Sequence, residues 1–249
     1  MVGDTTACVI GVVAALSRFP VKSMAGEPLA EVELRWPGMH GDRQYGFCRL
    51  QDQSRFPWLS ARDLSGLVLY KPAYRDPGDP RNSPVNVVLA SGDRLPVGAP
   101  ALAAQISREA RSEVRLMQVG RGIFDAMPVS LASTASLAAI DAAHGKPLDV
   151  RRFRLNIIIQ SEQGEMAWRS GRLLFGEDEQ GAQLLVNAGI PRCALITIDP
   201  ETAERDPSVM RTVAGSFDNE VGVYCATAKP GTIRVGDRVR LFGQETARR

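Results

Sequence analysis

Apolar residues come along this chain in short runs, broken every few positions by glycine, proline or acidic side chains. "CVIGVVAAL", "LAEVELRW", "QYGFCRL", "GLVLYKPAY", "VNVVLA", "EVRLMQV", "RLNIIIQ", "QLLVNA", "CALITI", "VGVYCATA" and "DRVRLF" each have the length and the aliphatic and β-branched content of a strand. Some alternate apolar with polar positions, and others are apolar throughout. A closed or strongly curved barrel, with both sheet faces partly covered, explains that mixture. Within "IPRCALITIDP", the segment Ala194–Ile198 is predicted as a buried strand entered from a loop. Helical periodicity is rare. "STASLAAIDAAHGKP" is predicted as a helix, with Ser133 or Thr134 at its N-cap, an apolar stripe at Leu137, Ala138 and Ile140, and Gly145 and Pro147 at its end. A second helical turn is predicted near Ala61–Leu64.

No repeat at a solenoid period and no low-complexity tract is present. The stretch "YRDPGDPRNSP" is predicted as a loop within the first half, because it is too short to be a free linker. The softer boundary lies near Gly120-Arg121-Gly122, dividing the chain into 1–118 and 119–249.

Thirty basic against 28 acidic side chains leave a net charge of +2, so no nucleic-acid or membrane-surface function follows from bulk charge. Any basic function must be local. The longest apolar run, Ala7–Leu16, has ten residues, too few to span a bilayer. Asp4 and the lack of a basic leader argue against a signal peptide, so the first ten or so residues are predicted as a strand. Cys8, Cys48, Cys193 and Cys225 form no C-x-x-C pair, which removes zinc-knuckle and iron–sulfur spacing and points to a reduced, cytoplasmic protein. His40 sits in a turn and His144 at a helix end, and neither belongs to a hydrolase motif.

The chemistry-bearing residues gather at strand ends. Lys22-Ser23 follows the first strand, and Asp42-Arg43 follows a glycine turn. Arg151, Arg152, Arg154 and Asn156 enter a run of isoleucines, with Arg154 and Asn156 on one face under strand spacing. The helix start at Ser133-Thr134-Ala135-Ser136 offers free N–H groups and hydroxyls. Each has a plain surface explanation on its own. Four such strand ends together point to a shared anionic ligand bearing a phosphate. Cys8, Cys48 and Cys225 lie in apolar runs and read as small packing residues. Cys193 stands at a strand mouth beside Arg192, whose guanidinium favours a thiolate. That thiolate is open to three roles: nucleophile, sulfur carrier, or ligand to a soft metal.

Five ordered blocks carry a family resemblance: "VAALSRFPVKSMAGEPLAEVELRWPGMHGDRQYGF", "FDAMPVSLASTASLAAID", "RRFRLNIII", "PRCALITIDPET" and "GVYCATAKPGTIRVGDRVRLF". Over nearly its whole length the chain resembles the MOSC proteins, above all the two-part subgroup containing the mitochondrial amidoxime-reducing component and its bacterial homologues. The resemblance implies a mainly β (α+β) fold, with a strongly curved antiparallel β-barrel MOSC domain at 119–249. An N-terminal MOSC-associated β-barrel-like region at 1–118 would pack against it, with few short helices. It also implies the molybdenum cofactor. Cys193 would be its metal ligand, Lys22, Ser23, Arg43, Arg154 and Asn156 would hold pterin and phosphate, Ser133 and Thr134 would donate to it, and Arg192 and Tyr224 would line the site. The implied activity is reduction of small N-hydroxylated substrates, with electrons from a separate cytochrome b5-like or ferredoxin-like protein and its reductase. Sulfur transfer through a Cys193 persulfide and a cofactor-carrier role are the alternatives. Pro191 departs from the subgroup, which has a small hydroxyl residue there.

Overall fold

The computed structural model describes residues 7–178 and 180–243, so residues 1–6 of the expected N-terminal strand lie outside the described residues. The chain runs through β1 (Cys8–Arg18), β2 (Glu27–Leu29), β3 (Glu31–Arg35), β4 (Gly38–Met39) and β5 (Tyr45–Arg49). There follow β6 (Lys71–Tyr74), β7 (Val85–Val88), β8 (Arg94–Pro96), α1 (Pro100–Ala110) and β9 (Val114–Gln118). The C-terminal half contains β10 (Val129–Ser133), α2 (Thr134–His144), β11 (Ile157–Gln160), β12 (Arg172–Phe175) and β13 (Gln183–Pro191). It ends with α3 (Pro207–Ser216), β14 (Glu220–Lys229), β15 (Gly231–Arg234) and β16 (Arg238–Phe242).

The fold is mainly β, with a closed barrel of seven strands in the order β11-β10-β14-β13-β12-β16-β1, sealed by pairing of β1 with β11. Closure needs sharp bending, and register shifts in β1 and β13 supply it. At one of them the strands nearly touch: a Cβ on Gly11 would lie 2.0 Å from the Gln160 carbonyl oxygen. The pairs are antiparallel except β10–β11, which α2 links as a crossover. All five residues of β10 are buried, so it lacks the alternation that marks a strand in sequence. Val13, Leu16, Leu131, Ile157, Trp168, Phe175 and Val223 are among the side chains of the barrel core.

A second core forms around β5, β6, β7, β9 and α1, where Phe47, Tyr74, Val87, Leu102 and Ile106 pack together. Strand pairing crosses the 118/119 boundary: β1 closes the barrel, and β3 pairs with β15. The 75–84 loop joins β6 to β7.

Helix α2 matches expectation: the Ser133 hydroxyl accepts from the Ser136 amide, and Gly145 ends it in the left-handed conformation at φ 82°. The segments of α1 and α3 were not expected as helices. Each begins with a proline in its first turn and buries an i, i+4 pair, Leu102 with Ile106 and Val209 with Val213. The expected strand at Ala194–Ile198 is instead a 3-10 turn over Ala194–Thr197. Local bonds of the Ile196 amide to the Cys193 carbonyl and of Thr197 Oγ1 to the Ala194 carbonyl replace a ladder. Residues 61–63 make a turn, and Ser65–Leu69, which overlaps the start of the strand expected from Gly66, is a further 3-10 turn. Cys225 is buried as expected, but Cys8 is exposed and Cys48 half-buried, so those two are not core residues.

A buried ion pair anchors the exit from β1. Arg18, 1% exposed, donates to Glu27 at 2.7 Å and to the His40 and Pro77 carbonyls, and its guanidinium carbon lies 4.6 Å from the centre of the Tyr74 ring. Glu27→Ala would leave that cation buried without its carboxylate and is expected to cost about 3–5 kcal/mol, measured by urea unfolding.

Candidate functional site

At the end of β1 the chain turns through Phe19-Pro20-Val21-Lys22-Ser23. Proline removes a donor and the turn takes its remaining bonds from residues 42–45. The Phe19 amide donates to the Asp42 carboxylate at 2.7 Å and the Arg43 amide to the Phe19 carbonyl at 2.6 Å. The Lys22 amide bonds the Tyr45 carbonyl at 2.8 Å. The turns at Lys22-Ser23 and Asp42-Arg43 are therefore one structure. Ser23, Arg43 and Arg154 all have left-handed backbones, at φ 67°, 49° and 51°, each costing an L-residue about 1–2 kcal/mol. Strain of that kind persists where surrounding contacts impose it and gathers at working sites.

These residues line one cavity of about 110 Å³, room for a phosphate-sized anion, together with Asn156, Arg192, Cys193 and Tyr224. Eight of the ten residues expected from sequence thus share it. Ser133 and Thr134 are the exceptions. The Ser133 hydroxyl donates to Glu165 at 2.9 Å while capping α2, and Thr134 Oγ1 donates to the Ser161 carbonyl at 3.1 Å. Their donors serve the fold: the Glu165 carboxylate and the Ser161 carbonyl take the O–H groups a ligand would have used.

Arg154 and Asn156 reach the cavity without being strand neighbours. Val150–Phe153 is a 3-10 turn, Arg154 reverses the chain, and β11 starts only at Ile157. Asn156 Oδ1 accepts from the Ser130 amide and hydroxyl at 3.2 and 2.9 Å and from Arg43 at 3.3 Å, while its Nδ2 donates to the Ser17 carbonyl at 3.2 Å. One buried amide therefore ties β1, β10 and the Arg43 turn together.

The cations differ in how they are held. Lys22 Nζ lies 2.6 Å from Asp125 and 3.3 Å from the Ile123 carbonyl. Arg43 pairs with Asp42 and donates to the Arg154 carbonyl at 3.3 Å. Arg154 donates to the Met24 carbonyl at 2.6 Å, and its Nη2 is buried without a partner. Arg192 donates to the Phe153 carbonyl at 2.7 Å and, through Nε at 2.8 Å and also Nη2, to the Val221 carbonyl. Arg192 thus braces the loop that leads into Cys193, and its charge stays on the cavity that the sulfur also lines. Among the described residues, neither Arg154 nor Arg192 has a carboxylate partner.

Burial dominates the ionisation of these groups. It pulls the Arg154 guanidinium down to about 9, helped by the like charge of Arg43, and Arg192 down to about 10, so both stay charged at neutral pH. Burial also lowers Lys22, with Asp125 opposing it, and raises the Tyr224 phenol. Asp125 is held below the usual carboxylate range, since the Lys22 charge and hydrogen bond outweigh its own desolvation. Cys193 is exposed at the start of its 3-10 turn.

Sequence reading missed Asp125, Ser130 and Phe19, and counted Arg152 among the strand-end cations without giving it a role at the site. Arg152 lines the cavity but is committed to Asp199 and the Thr197 carbonyl. Phe19 underlies the site, its ring centre 4.6 Å from the Arg43 and 4.4 Å from the Arg154 guanidinium carbon. Its position before Pro-Val-Lys-Ser was the available signal. Glu165, buried in an otherwise unremarked stretch, accepts from Ser133 and from the Gly222 amide at 2.8 Å. Gly222, at φ 76°, leaves no room for a side chain: a Cβ there would lie 2.7 Å from the Leu131 carbonyl oxygen.

Residues 120–240 match the family model described as "MOSC domain". The chain is a MOSC-domain protein. Cavity residues Lys22, Ser23 and Arg43 fall before the matched region of the MOSC domain, so its site draws on both halves of the chain. The MOSC protein is 31% identical over 137 residues to mitochondrial amidoxime-reducing component 1 of Homo sapiens, covering 48% of this chain and 38% of that one. It is 32% identical over 132 residues to mitochondrial amidoxime reducing component 2 of Rattus norvegicus, covering 46% and 37%. The match therefore spans under two-fifths of these relatives' length. The YuaD protein from Bacillus subtilis shares the fold, with a TM-score of 0.51 at 14% identity over 95% of this chain and 98% of that one. No helix of the described residues is long and apolar enough to cross a membrane.

The residues fit a phosphate-bearing ligand with a thiolate-bound metal: two cations without acids, one buried N–H without an acceptor, and an exposed thiol on the same cavity. Such a site is built at a cost to folding. Between its lowered folded pKa and the ordinary 10.5, Lys22 binds more protons in the unfolded chain, so its contribution to stability rises with pH through that window. Asp125 is itself exposed, so Lys22→Met strands no buried charge. That variant is expected to be as stable as wild type at pH 7 or up to about 1 kcal/mol more so, with a flatter stability profile at alkaline pH and weaker binding of inorganic phosphate. Denaturant midpoints across pH and phosphate calorimetry check both arms.

Proposed function

We propose that this protein is a molybdenum-cofactor-dependent reductase of N-hydroxylated compounds such as amidoximes and hydroxylamines. The observation that carries the reading is the exposed Cys193 thiol on a cavity whose Arg154 and Arg192 have no carboxylate partner. The MOSC domain and the two mammalian relatives, both named as amidoxime-reducing, support it.

On this reading the Cys193 thiolate is the metal ligand. Lys22, Ser23, Arg43 and Arg154 receive the phosphate and pterin, and Asn156 holds Arg43 in place for them. Arg192, fixed by two carbonyls, keeps the loop before Cys193 in position and leaves its positive charge at the cavity. The Tyr224 phenol, raised by burial, stays protonated at neutral pH and is available as a donor. When bound, the cofactor supplies the redox chemistry, in which two electrons and two protons convert N–OH to N–H and water. The electrons come from a separate cytochrome b5-like or ferredoxin-like protein with its reductase.

A second reading rests on the same exposed sulfur: Cys193 carries a persulfide and passes its outer sulfur to an acceptor.

Protein from a host that makes the cofactor is expected to hold about one molybdenum per chain and to reduce benzamidoxime with a chemical electron donor. Cys193→Ala abolishes reduction, and Arg154→Ala weakens cofactor retention by about 1–3 kcal/mol. Cyanolysable sulfur on Cys193 in molybdenum-free protein would support the second reading in its place. Full activity in Cys193→Ala would remove both.

A further inference from the structure

A second cavity, of about 570 Å³, shares Arg152, Arg154 and Leu195 with the first and otherwise has its own walls. Its volume is that of a small-molecule site. One wall is the outer face of the β6–β7 hairpin, where Lys71 stands directly across from Val88 and Ala73 lies two residues along. The inner face of that hairpin buries Tyr74, Val85 and Val87 in the second core. The C-terminal half supplies the opposing hydrocarbon, including Leu155, Ile158 and Ile198.

The charges around this cavity are mostly spent. Glu27 is paired with Arg18 at 2.7 Å, Arg151 with Asp149 and with Glu201 at 2.6 Å, and Arg152 with Asp199 at 2.6 Å. Arg154 and Lys71 have no ion pair among the described residues, and Arg154 keeps a buried, unpartnered Nη2. Arg152 Nε is likewise buried and unpartnered, in a residue 8% exposed. Lys71 is exposed and keeps its hydration, so mostly hydrocarbon walls with one uncompensated guanidinium define the ligand. A neutral apolar molecule would leave the Arg154 charge without a counter-ion, and a polyanion would have to lose its hydration against hydrocarbon. A single carboxylate on an apolar body avoids both costs.

We propose that this second cavity binds an apolar monocarboxylate, its body against the β6–β7 face and its acid on Arg154. The proposal does not depend on the metal or on the reaction assigned to the first cavity. Calorimetric titration of the full chain with 2-naphthoate and with its neutral counterpart 2-naphthamide tests it. Naphthoate is expected to saturate one site per chain, with naphthamide at least about tenfold weaker, a difference of roughly 1.4 kcal/mol. Ala73→Trp, at an exposed strand position, is expected to abolish naphthoate binding while leaving the melting temperature and phosphate binding unchanged. Arg154→Met is expected to make the two probes bind alike. Equal affinity of both probes for the wild type, full naphthoate binding by Ala73→Trp, or no saturation at millimolar naphthoate would each overturn the proposal. If Arg154→Met does not fold, the first two arms decide.

Discussion

A buried guanidinium can be held by a carboxylate or by carbonyl oxygens, and the choice decides whether its charge survives. In this protein Arg154 and Arg192 are held by the carbonyls of Met24, Phe153 and Val221. Each such bond orients the side chain and returns about 1.5–3 kcal/mol, but neutralises nothing. The remaining positive charge is what a bound anion would meet. Arg18, a few residues from the same turn, shows the other solution: its buried charge is cancelled by Glu27, and it holds the fold together. The same side chain type therefore serves structure in one place and recognition in the other, according to the acceptor supplied.

Carbonyl acceptors must be brought from far along the chain, and the barrel does this. Arg154 finds its acceptor 130 residues away, and Lys22 finds the Ile123 carbonyl at a separation of 101. Closure of β1 against β11 fixes the end of the first strand beside the entry to the eleventh, and Asn156 clamps that junction through Ser17 and Ser130. The left-handed turns at Ser23, Arg43 and Arg154 carry the remaining strain, offset by these long-range bonds.

What was legible in the sequence follows from the same physics. Lys22, Arg43, Arg154 and Cys193 stood out because cations and a thiol at strand ends need a reason, and local turn chemistry marked where the strands stop. Strand β10 and helices α1 and α3 were obscure: full burial hides alternation, and two buried residues per helix make a weak stripe. The 3-10 turn at Ala194–Thr197 has the composition of a strand and lacks only a partner, which composition does not encode. Ser133 looked like an anion donor for the reason it is a good cap, and the fold used it as the cap. Asp125 carries no signal of its own, since its role exists only once distant turns meet, and Phe19 is marked only by its place before Pro-Val-Lys-Ser.

The position of Arg154 has a consequence of its own. Its backbone reverses the chain, its head meets the Phe19 ring and the Met24 carbonyl, and its sides line two cavities of opposite character, one crowded with charge and one walled by hydrocarbon. An anion on either side would satisfy the same guanidinium and weaken its attraction for an anion on the other. Opposite charge also lifts a depressed pKa, so the first ligand to bind would raise that of Arg154. Any two anions bound in these cavities are therefore coupled, reciprocally and with negative sign, through one residue.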